Sequence, residues 1–567
     1  MVWTERRRPS YTSQVWAGFP SFKQCDGGCL LREGGRIGFW EALSIGIGGM
    51  IGGGIFAVLG LSIQLSKGAA PISFLIAGVI ALATAYSYAR LSVRFPSRGG
   101  TIEFLVRAFG RGLLSGTLNV LLLASYIVMI SLYAYAFGSY GANLLNSASQ
   151  TAKQMLAALV VALFTIINAL GAVVSGKTED ALVAAKTTIL LIIAVASIGF
   201  VDATRLSTST WADPIGVVAG GMIIFLAYEG FELIANTGGD IENPSILPRA
   251  FYASVLIVIA LYITVAVVTI GTLPYDEILK ARDYALAAAA EPALGKAGFL
   301  LVTLAALVST SSAINATLYG TARASYVVAK YGQLPEEVER PIWKQAYEGL
   351  VIISILSMVL ASTASLESIS TAGSGGFLIV FLFVNLAALK LRKSLKINPA
   401  IPALGALLSL AALLILMYRI AMTALISLAV FAGLIAGAFF VELAYRKIKG
   451  REIGEYVDTW LCKREEGIRN WSDWVYSAVE CIEDIFEDAE VYLVGSVARG
   501  EFSRAGDVDL LVLTDNPPPR LKRLKVLREI KQRAGLGPEH SIDVHFAHRQ
   551  RKAEALKRAR YCRLLKH

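Results

Sequence analysis

The feature that most constrains this chain is a succession of long apolar segments between residues 39 and 443. A helix needs about 20 predominantly apolar residues to cross a bilayer. The chain has 567 residues, of which 55% are hydrophobic and 17% are charged, which is typical of a polytopic membrane protein and not of a soluble enzyme. We predict twelve spanning segments, at 39–64, 69–89, 113–143, 153–174, 180–201, 214–236, 249–273, 297–319, 349–368, 373–390, 401–418 and 421–443.

The Lys and Arg residues between these segments predict the orientation in the membrane. If the N-terminus is cytoplasmic, the inner connections carry 21 Lys and Arg residues and the outer connections carry seven. Because cytoplasmic loops are enriched in these residues, we expect a multi-pass protein of the plasma membrane with both termini in the cytoplasm.

The composition divides the chain into four parts. A polar N-terminal tail (1–38) precedes the apolar domain (39–443), and a charged, helical connector (444–480) leads to a second domain (481–567). In that last part we predict strands from 491 onward, a helix at 521–534, a strand at 541–546 and a basic helix at 548–566.

The first apolar segment contains IGIGGMIGGGIFAVLG (45–60), with seven glycines in sixteen residues. Packing glycines usually share one helix face, and close helix packing is the alternative interpretation. Gly52, Gly53 and Gly54 are consecutive and cover most of the circumference, which favours local unwinding. Unwound backbone in a membrane lines a cavity, and its free N–H groups suit a carboxylate.

The sixth segment has a second interruption, FLAYEGFELIANTGGDIENP (225–244). Glu229 and Glu232 lie in an apolar segment on either side of Gly230, and an intramembrane carboxylate is costly enough to suggest a function. For Glu232 the alternative is that it pins loop backbone or pairs with another helix. The two interruptions hold the same place in two halves of five segments each, where inverted-repeat transporters bind their substrates.

These motifs resemble those of the amino acid–polyamine–organocation (APC) superfamily. The similar stretches are IGGGIF (51–56), AYEGFE with ENP (227–244) and TARASYVVAKYGQLP (321–335). The resemblance implies a LeuT-like fold of two inverted five-helix repeats plus two extra helices, and secondary transport of amino acids or related amines. It also implies that the substrate's carboxylate meets the backbone of Gly52, Gly53 and Gly54 and that its amino group meets backbone carbonyls around Ile47 and Ala227. The substrate site predicted from it comprises Ile47, Gly52, Gly53, Gly54, Ala227, Tyr228, Glu229 and Gly230.

Lys186 lies about six residues into the fifth segment, in DALVAAKTTILLIIAVASIG. A buried lysine has a lowered proton affinity and can exchange protons. In proton-coupled relatives a lysine on this helix occupies the place of sodium, so the resemblance favours proton symport. The hydroxyls of Ser309, Thr310, Ser311 and Ser312 on the eighth segment leave sodium coupling open, and amino acid exchange is a further alternative. The predicted coupling residues are Lys186, Glu232, Ser311 and Ser312.

The second domain contains VYLVGSVARGEFSRAGDVDLLVLTD (491–515), which predicts a strand, a Gly-Ser turn and a second strand. Alternation along the second strand puts Asp507 and Asp509 on one face, where they can hold Mg²⁺. Asp543 on a further strand can add a ligand or accept a proton. The turn at Gly495 and Ser496 offers N–H groups to a triphosphate.

This pattern resembles the nucleotidyltransferase superfamily that includes polymerase beta and the minimal nucleotidyltransferases. It implies Mg²⁺ and a nucleoside triphosphate as cofactors, with Gly495, Ser496, Arg499 and Asp543 as catalytic residues and Asp507, Asp509 and Asp543 as metal ligands. Three interpretations remain open: an active transferase, a nucleotide sensor that gates the transporter, and a fused passenger that docks another protein.

The basic segment 548–566 carries no aromatic platform, so we expect no nucleic-acid partner. The expected partners are an amino acid, protons or Na⁺, the lipid membrane, and a nucleotide at the second domain. A rival hypothesis is that the apolar domain only senses a ligand and the second domain is the main enzyme.

Overall fold

The structure is a computed structural model that describes 37–566 apart from 98, 148, 170–175, 239–240, 242, 331–340, 344–345, 450–470, 499–507, 520–521, 537–541 and 560–561. The described residues belong to two compact units, which we call the membrane unit and the tail unit. The membrane unit lies within Gly34–Leu461, and the tail unit includes Cys462–His567.

The described part of the membrane unit is almost entirely helical. Its α-helices are α1 (Phe39–Met50), α2 (Gly54–Ser66), α3 (Ala70–Arg94), α4 (Thr101–Phe109), α5 (Leu113–Leu144), α6 (Gln150–Ala169), α7 (Gly176–Ser197), α8 (Pro214–Tyr228), α9 (Leu233–Asn236), α10 (Leu247–Thr272), α11 (Tyr275–Lys280), α12 (Ala285–Lys330, kinked at Gly295), α13 (Glu348–Thr363), α14 (Leu366–Lys390), α15 (Arg392–Leu395), α16 (Ala400–Thr423) and α17 (Leu425–Lys449). A short hairpin of β1 (Pro341–Trp343) and β2 (Ala346–Tyr347) precedes α13.

Among the described residues, each predicted span overlaps a helix, although the count of twelve remains a prediction. Within the described residues, ten helices are long and apolar enough to cross a membrane, and the bent pair α1–α2 makes an eleventh. The predicted span 349–368 is the shorter apolar helix Gly349–Thr363. It ends early because Ser365 caps the next helix, accepting a hydrogen bond from the Ser368 N–H at 3.2 Å.

Helices at corresponding positions in the two halves of the membrane unit pack against each other. The bent pair α1–α2 contacts α8–α9, α3 contacts α10, α5 contacts α12, and α6 contacts α13. Each of these four spans thus meets the one five spans later in the chain. This arrangement is the one expected of two inverted repeats, and it brings the two interrupted segments together inside one continuous apolar core.

The tail unit is a four-stranded sheet with helices on both faces. Its strands are β3 (Glu490–Val494), β4 (Val508–Thr514), β5 (Ile542–His548) and β6 (Cys562–Lys566), and its helices are α18 (Trp471–Ile485), α19 (Gly495–Ala498), α20 (Arg523–Arg533) and α21 (Lys552–Ala559). The strand order is β5-β4-β3-β6, with β4 and β5 parallel and the other pairs antiparallel. A parallel pair needs a crossover, and α20 lies in it.

Alternation along the strands divides the core of the tail unit in two. One sheet face carries Val491, Leu510 and Val544, which pack with apolar residues of α18 and α20. The other carries Leu511 and Leu513, against which α21 packs. Side chains of opposite parity therefore face different helices.

At the start of β3, the Glu490 carboxylate is held by two donors. The Lys552 ammonium donates to its Oε2 at 2.6 Å and the Tyr492 hydroxyl donates to the same atom at 2.9 Å. The hydrogen bond from Lys552 is the main reason that the pKa of Glu490 lies below its ordinary value.

The predicted basic helix at 548–566 is wrong in its second half. The helix α21 ends at Ala559, and β6 follows and pairs with β3. Leu564 lies opposite Tyr492 in this ladder, and Cys562 lies opposite Val494. The basic composition suggested a helix, but β3 offers an open edge whose hydrogen-bonding groups a fourth strand satisfies.

Candidate functional site

The first helix break lies between α1 and α2, whose axes are bent by 45°. The hydroxyl of Ser309, on α12, donates to the carbonyl oxygens of Ile51 and Gly52 at 3.0 and 2.9 Å. Both carbonyls lie in the break, where regular helix hydrogen bonding is interrupted. Ser309 therefore satisfies backbone that could find no partner in lipid.

The second break lies between α8 and α9 and contains both glutamates. Gly230 has φ of +121°, a conformation that side-chain-bearing residues rarely adopt. Its N–H donates to Glu232 Oε2 at 2.6 Å, and the Tyr126 hydroxyl donates to Oε1 at 3.5 Å. Glu232 thus pins the loop backbone, which is the contact that the alternative interpretation of this residue expects.

The two breaks touch each other through their backbones. A Cβ atom on Gly49 would lie 2.8 Å from Gly230 Cα, closer than real contacts allow. The hydroxyl of Tyr262, on α10, lies 2.7 Å from the Met50 carbonyl oxygen and 3.1 Å from that of Ala227. One side chain therefore connects the carboxyl ends of the half-helices α1 and α8.

The glycine run at the first break is packed and not open. The Tyr133 ring lies against Gly53, and a Cβ atom on Gly52 would lie 3.3 Å from the Tyr133 hydroxyl. A Cβ atom on Gly54 would lie 2.8 Å from Ala227 Cα. Tyr133 thus covers the amino end of α2 in this conformation.

The carbonyls predicted to meet an amino group already have donors. The Ile47 oxygen accepts from the Ile51 N–H at 2.7 Å, and the Ala227 oxygen lies beside the tyrosine hydroxyl described above. A carbonyl has two lone pairs, so each can accept one more hydrogen bond. The Tyr228 hydroxyl donates elsewhere, to the Phe74 carbonyl at 3.0 Å.

Glu229 is fully buried, and neither carboxylate oxygen has a hydrogen-bond partner among the described residues. An ionised carboxylate without partners is costly in apolar surroundings. The second break therefore holds an acceptor that a cationic ligand group can satisfy.

The side chain of Lys186 connects α7 to the first break. Its Nζ donates to the Gly48 carbonyl oxygen at 2.9 Å, and the residue is 3% exposed. The side chain thus reaches into the protein and not toward the membrane interface. It places a titratable amine within three residues of the end of α1.

A small cavity borders the breaks, and a larger one lies next to it along α12. The smaller, of about 40 Å³, borders both breaks and is lined by Ile45, Gly48, Gly49, Tyr126, Met129, Tyr133, Gly230, Glu232, Leu233, Ser312, Ala313, Ala316 and Thr317. Since pockets for small ligands usually measure about 300–1,000 Å³, this cavity is too small to hold a substrate, and we call this conformation closed.

The larger cavity, of about 330 Å³, lies among α5, α6, α7 and α12 and is mainly apolar. Its lining includes Phe137, Phe164, Leu182, Leu307, Val308, Ser311, Ser312, Asn315 and Ala316. Ser311 and Ser312 were predicted to act in coupling, but on α12 it is Ser309 that contacts the carbonyls of the first break.

In the tail unit, one sheet face brings together Asp509, Asp543 and His545. Asp509 and Asp543 are direct neighbours in the parallel ladder, and His545 follows on the same face of β5. One ligand atom of each residue lies within 4.8 Å of the others, and His545 Nε2 is 3.4 Å from Asp509 Oδ1. This donor set fits a divalent cation.

The turn before these residues also fits such a site. Gly495 has φ of +77°, and a Cβ atom there would overlap the Asp509 carboxylate. Glycine therefore lets the carboxylate lie against the turn that begins α19. Arg499 and Asp507 lie outside the described residues, as does the side chain of Ser496.

Comparison with known families accounts for both units. The family model for amino acid permeases matches residues 37–458, more than half of the chain. The chain belongs to the amino acid permease family. A model for nucleotidyltransferase domains matches residues 475–563 of this permease. Both predicted resemblances are thereby confirmed, and with them the class of the fold.

Three curated relatives are similar to this permease over part of its length. An uncharacterized protein of Methanocaldococcus jannaschii is 36% identical over 422 residues, which cover 73% of this chain and 96% of the relative. The inner membrane transport protein YbaT of Escherichia coli is 34% identical over 377 residues, which cover 66% of this chain and 88% of the relative. The serine/threonine exchanger SteT of Bacillus subtilis is 28% identical over 312 residues, which cover 53% of this chain and 69% of the relative.

Sequence reasoning did not single out several polar residues of the permease. Tyr126 and Tyr262 contact the breaks from α5 and α10, and no local pattern separates them from ordinary core residues. Ser309 was named only as one of four hydroxyls at 309–312, and the structure shows that it contacts the first break. His545 was also missed, although strict alternation with Asp543 in SIDVHF was a usable signal.

Proposed function

We propose that the membrane unit is a secondary active transporter of amino acids or related amines that works by alternating access. The observation that carries this proposal is the contact between the two helix breaks at Gly49 and Gly230. Half-helix ends that meet inside a membrane supply N–H groups and carbonyls to a zwitterion without any loop exposed to lipid.

In this proposal the substrate's carboxylate binds N–H groups of Gly52–Gly54, and its amino group binds the carbonyls of Ile47 and Ala227. The Glu229 carboxylate would attract the positively charged amino group of the substrate. Because Tyr133 covers the glycines and the adjoining cavity measures about 40 Å³, substrate binding requires the breaks to separate. Alternating access then consists of opening this closed site to either side.

We also propose that Lys186 couples transport to protons. A charged ammonium donates strongly to the Gly48 carbonyl, and a neutral amine donates weakly. Protonation of Lys186 therefore stabilises the contact between α7 and α1, and deprotonation loosens it. Sodium at this position would compete with the ammonium for the same carbonyl.

The test is uptake of a labelled mixture of amino acids into proteoliposomes with an inward proton gradient and no sodium. Lys186→Met should bind substrate but lose gradient-driven accumulation. Lys280→Met, an exposed lysine at the end of α11, is the matched control and should accumulate substrate normally. Normal proton-driven accumulation by Lys186→Met would remove Lys186 from the mechanism.

Exchange of two amino acids is the second candidate, since the relative SteT is a serine/threonine exchanger. An exchanger needs substrate inside the vesicle and no ion gradient. Uptake that requires internal amino acid and is the same with and without the proton gradient would favour exchange. If no uptake occurs under any of these conditions, the hypothesis that the membrane unit only senses a ligand would be favoured.

For the tail unit we propose Mg²⁺-dependent transfer of a nucleotide, on the cytoplasmic side that the Lys and Arg distribution predicts. Asp509 and Asp543 would hold the ion, together with Asp507, and the ion would neutralise charge on the triphosphate. An acceptor hydroxyl attacks the α-phosphorus, pyrophosphate leaves, and Asp543 accepts the hydroxyl proton.

The adjacency of Asp509 and Asp543 beside Gly495 supports this proposal. Its test is incorporation of labelled nucleotide into protein or small acceptors by the full-length chain. Asp509→Asn should abolish incorporation. If the unsubstituted chain binds nucleotide but incorporates none, the tail is a sensor that gates transport.

A further inference from the structure

The tail unit places a histidine nitrogen in a site where the sequence predicted only carboxylates. His545 Nε2 lies 3.4 Å from Asp509 Oδ1. Two ligands of one ion lie at most about 4.2 Å apart when each bond measures about 2.1 Å. The two atoms are therefore spaced as ligands of a common ion, without movement of the strands.

The third ligand is held in place by the ladder and by its own backbone. Asp543 is the direct neighbour of Asp509 across the parallel pair. One of its oxygens accepts the Val544 N–H at 3.0 Å, which fixes the direction of the carboxylate. All three ligand atoms lie within 4.8 Å of one another, so small side-chain rotations bring them to one ion.

The exposure of these residues suits an ion that also binds a ligand from solution. The side chain of His545 is 55% exposed and that of Asp509 is 29% exposed. His545 is therefore not needed to fill the core. Three protein ligands on one open face leave coordination positions for phosphate oxygens or water.

Imidazole changes which ion such a site prefers. Mg²⁺ takes oxygen ligands almost exclusively, while Co²⁺ and Zn²⁺ bind imidazole nitrogen well. A site with two carboxylates and one imidazole gains affinity for these ions and gains little for Mg²⁺.

We propose that Asp509, Asp543 and His545 form a binding site for a borderline transition-metal ion of the Co²⁺ and Zn²⁺ class, and that His545 sets its preference over Mg²⁺. This inference rests on the proposed function, because it concerns the same site, and it adds a second class of ion to the Mg²⁺ expected there. Its test measures metal binding, so failure of the metal site can be distinguished from failure of nucleotide transfer.

The experiment uses the full-length chain in detergent, without a histidine tag. Co²⁺ is titrated in, its visible absorption is recorded, and Mg²⁺ is then added as a competitor. Removing residues that only support metal ligands usually costs about 10–100-fold in affinity, so His545→Ala, which removes a ligand, should cost at least that for Co²⁺. Its affinity for Mg²⁺ should stay nearly unchanged.

Two further variants make the test specific. His545→Asp restores a third ligand but only through oxygen, so it should bind Mg²⁺ at least as well as the unsubstituted chain while losing the preference for Co²⁺. His548→Ala, at the end of the same strand, removes a histidine whose Nδ1 accepts the Gln550 N–H. It should leave both affinities unchanged.

The outcomes separate the two ideas about the tail. If the unsubstituted chain shows no preference for Co²⁺, or if His545→Ala keeps that preference, this inference is overturned. If the preference depends on His545 but no acceptor receives a nucleotide with either ion, the metal site stands and the proposed transfer fails. Loss of the preference in His548→Ala as well would point to general damage to β5 and overturn the assignment.

Discussion

Removal of the Tyr262 hydroxyl is the sharpest test of how the closed conformation is held. This hydroxyl is fully buried and lies 2.7 Å from the Met50 carbonyl and 3.1 Å from that of Ala227. Tyr262→Phe deletes it and keeps the ring. Side-chain hydrogen bonds inside membrane proteins contribute about 0.6 kcal/mol on average and up to about 1.7 kcal/mol.

If the hydroxyl connects the two breaks only in the closed conformation, this free energy is lost from that conformation alone. The open fraction should then rise about three- to sixteenfold. The assay is the rate at which a cysteine at position 316, introduced as Ala316→Cys beside both cavities, is alkylated, measured on its peptide by mass spectrometry.

A matched control is Tyr140→Phe. Tyr140 is also buried, and its hydroxyl donates to the Phe56 carbonyl at 3.3 Å, within helix α2 and not in either break. This variant should leave the alkylation rate unchanged. An unchanged rate in Tyr262→Phe as well would refute the argument that this hydroxyl holds the breaks together.

Two more predictions follow from positions with well-defined geometry. Gly230→Ala should prevent stable folding of the membrane unit, because its Cβ would overlap the first break and its φ of +121° adds about 1–3 kcal/mol of strain. Thermal unfolding in detergent checks this, with Gly199→Ala as the control, since nothing lies within 4 Å of a Cβ there. In the tail unit, Lys552→Met should raise the pKa of Glu490 toward its ordinary value. Because that pKa is lowered in the folded state, the stability it contributes is present above the ordinary pKa and is lost as pH falls through the lowered one. Thermal unfolding across an acidic pH series should show this loss in the unsubstituted chain and in the exposed-site control Lys525→Met, but much less in Lys552→Met.

Local sequence was sufficient to predict the helix breaks. Three consecutive glycines and two carboxylates in apolar segments are strong signals within a few residues, and the structure interrupts helices at both places. Apolar length likewise predicted where the helices lie. Apolar length was a poorer guide to where helices end, as at Thr363 and Ser365. A capping hydrogen bond sets such a boundary, and composition does not reveal it.

Contacts between distant segments could not be predicted in this way. Ser309 lies more than 250 positions from the carbonyls that it satisfies, and Tyr262 more than 200 from Met50. Hydroxyls of this kind are common in membrane helices, and only tertiary packing selects which of them meets a break. The strand β6 was missed for a similar reason, since its partner β3 is distant in the chain.

The backbone contact between Gly49 and Gly230 also limits how such a protein can diversify. Neither position tolerates a side chain while the other backbone lies where it does, so a new substrate preference cannot arise at this junction. Tyr126, Met129 and Tyr133 line the adjoining cavity with side chains that differ in size and polarity, so a substitution there changes the shape and polarity of the cavity wall. Adaptation to new substrates is therefore expected on these walls, around a junction that stays the same.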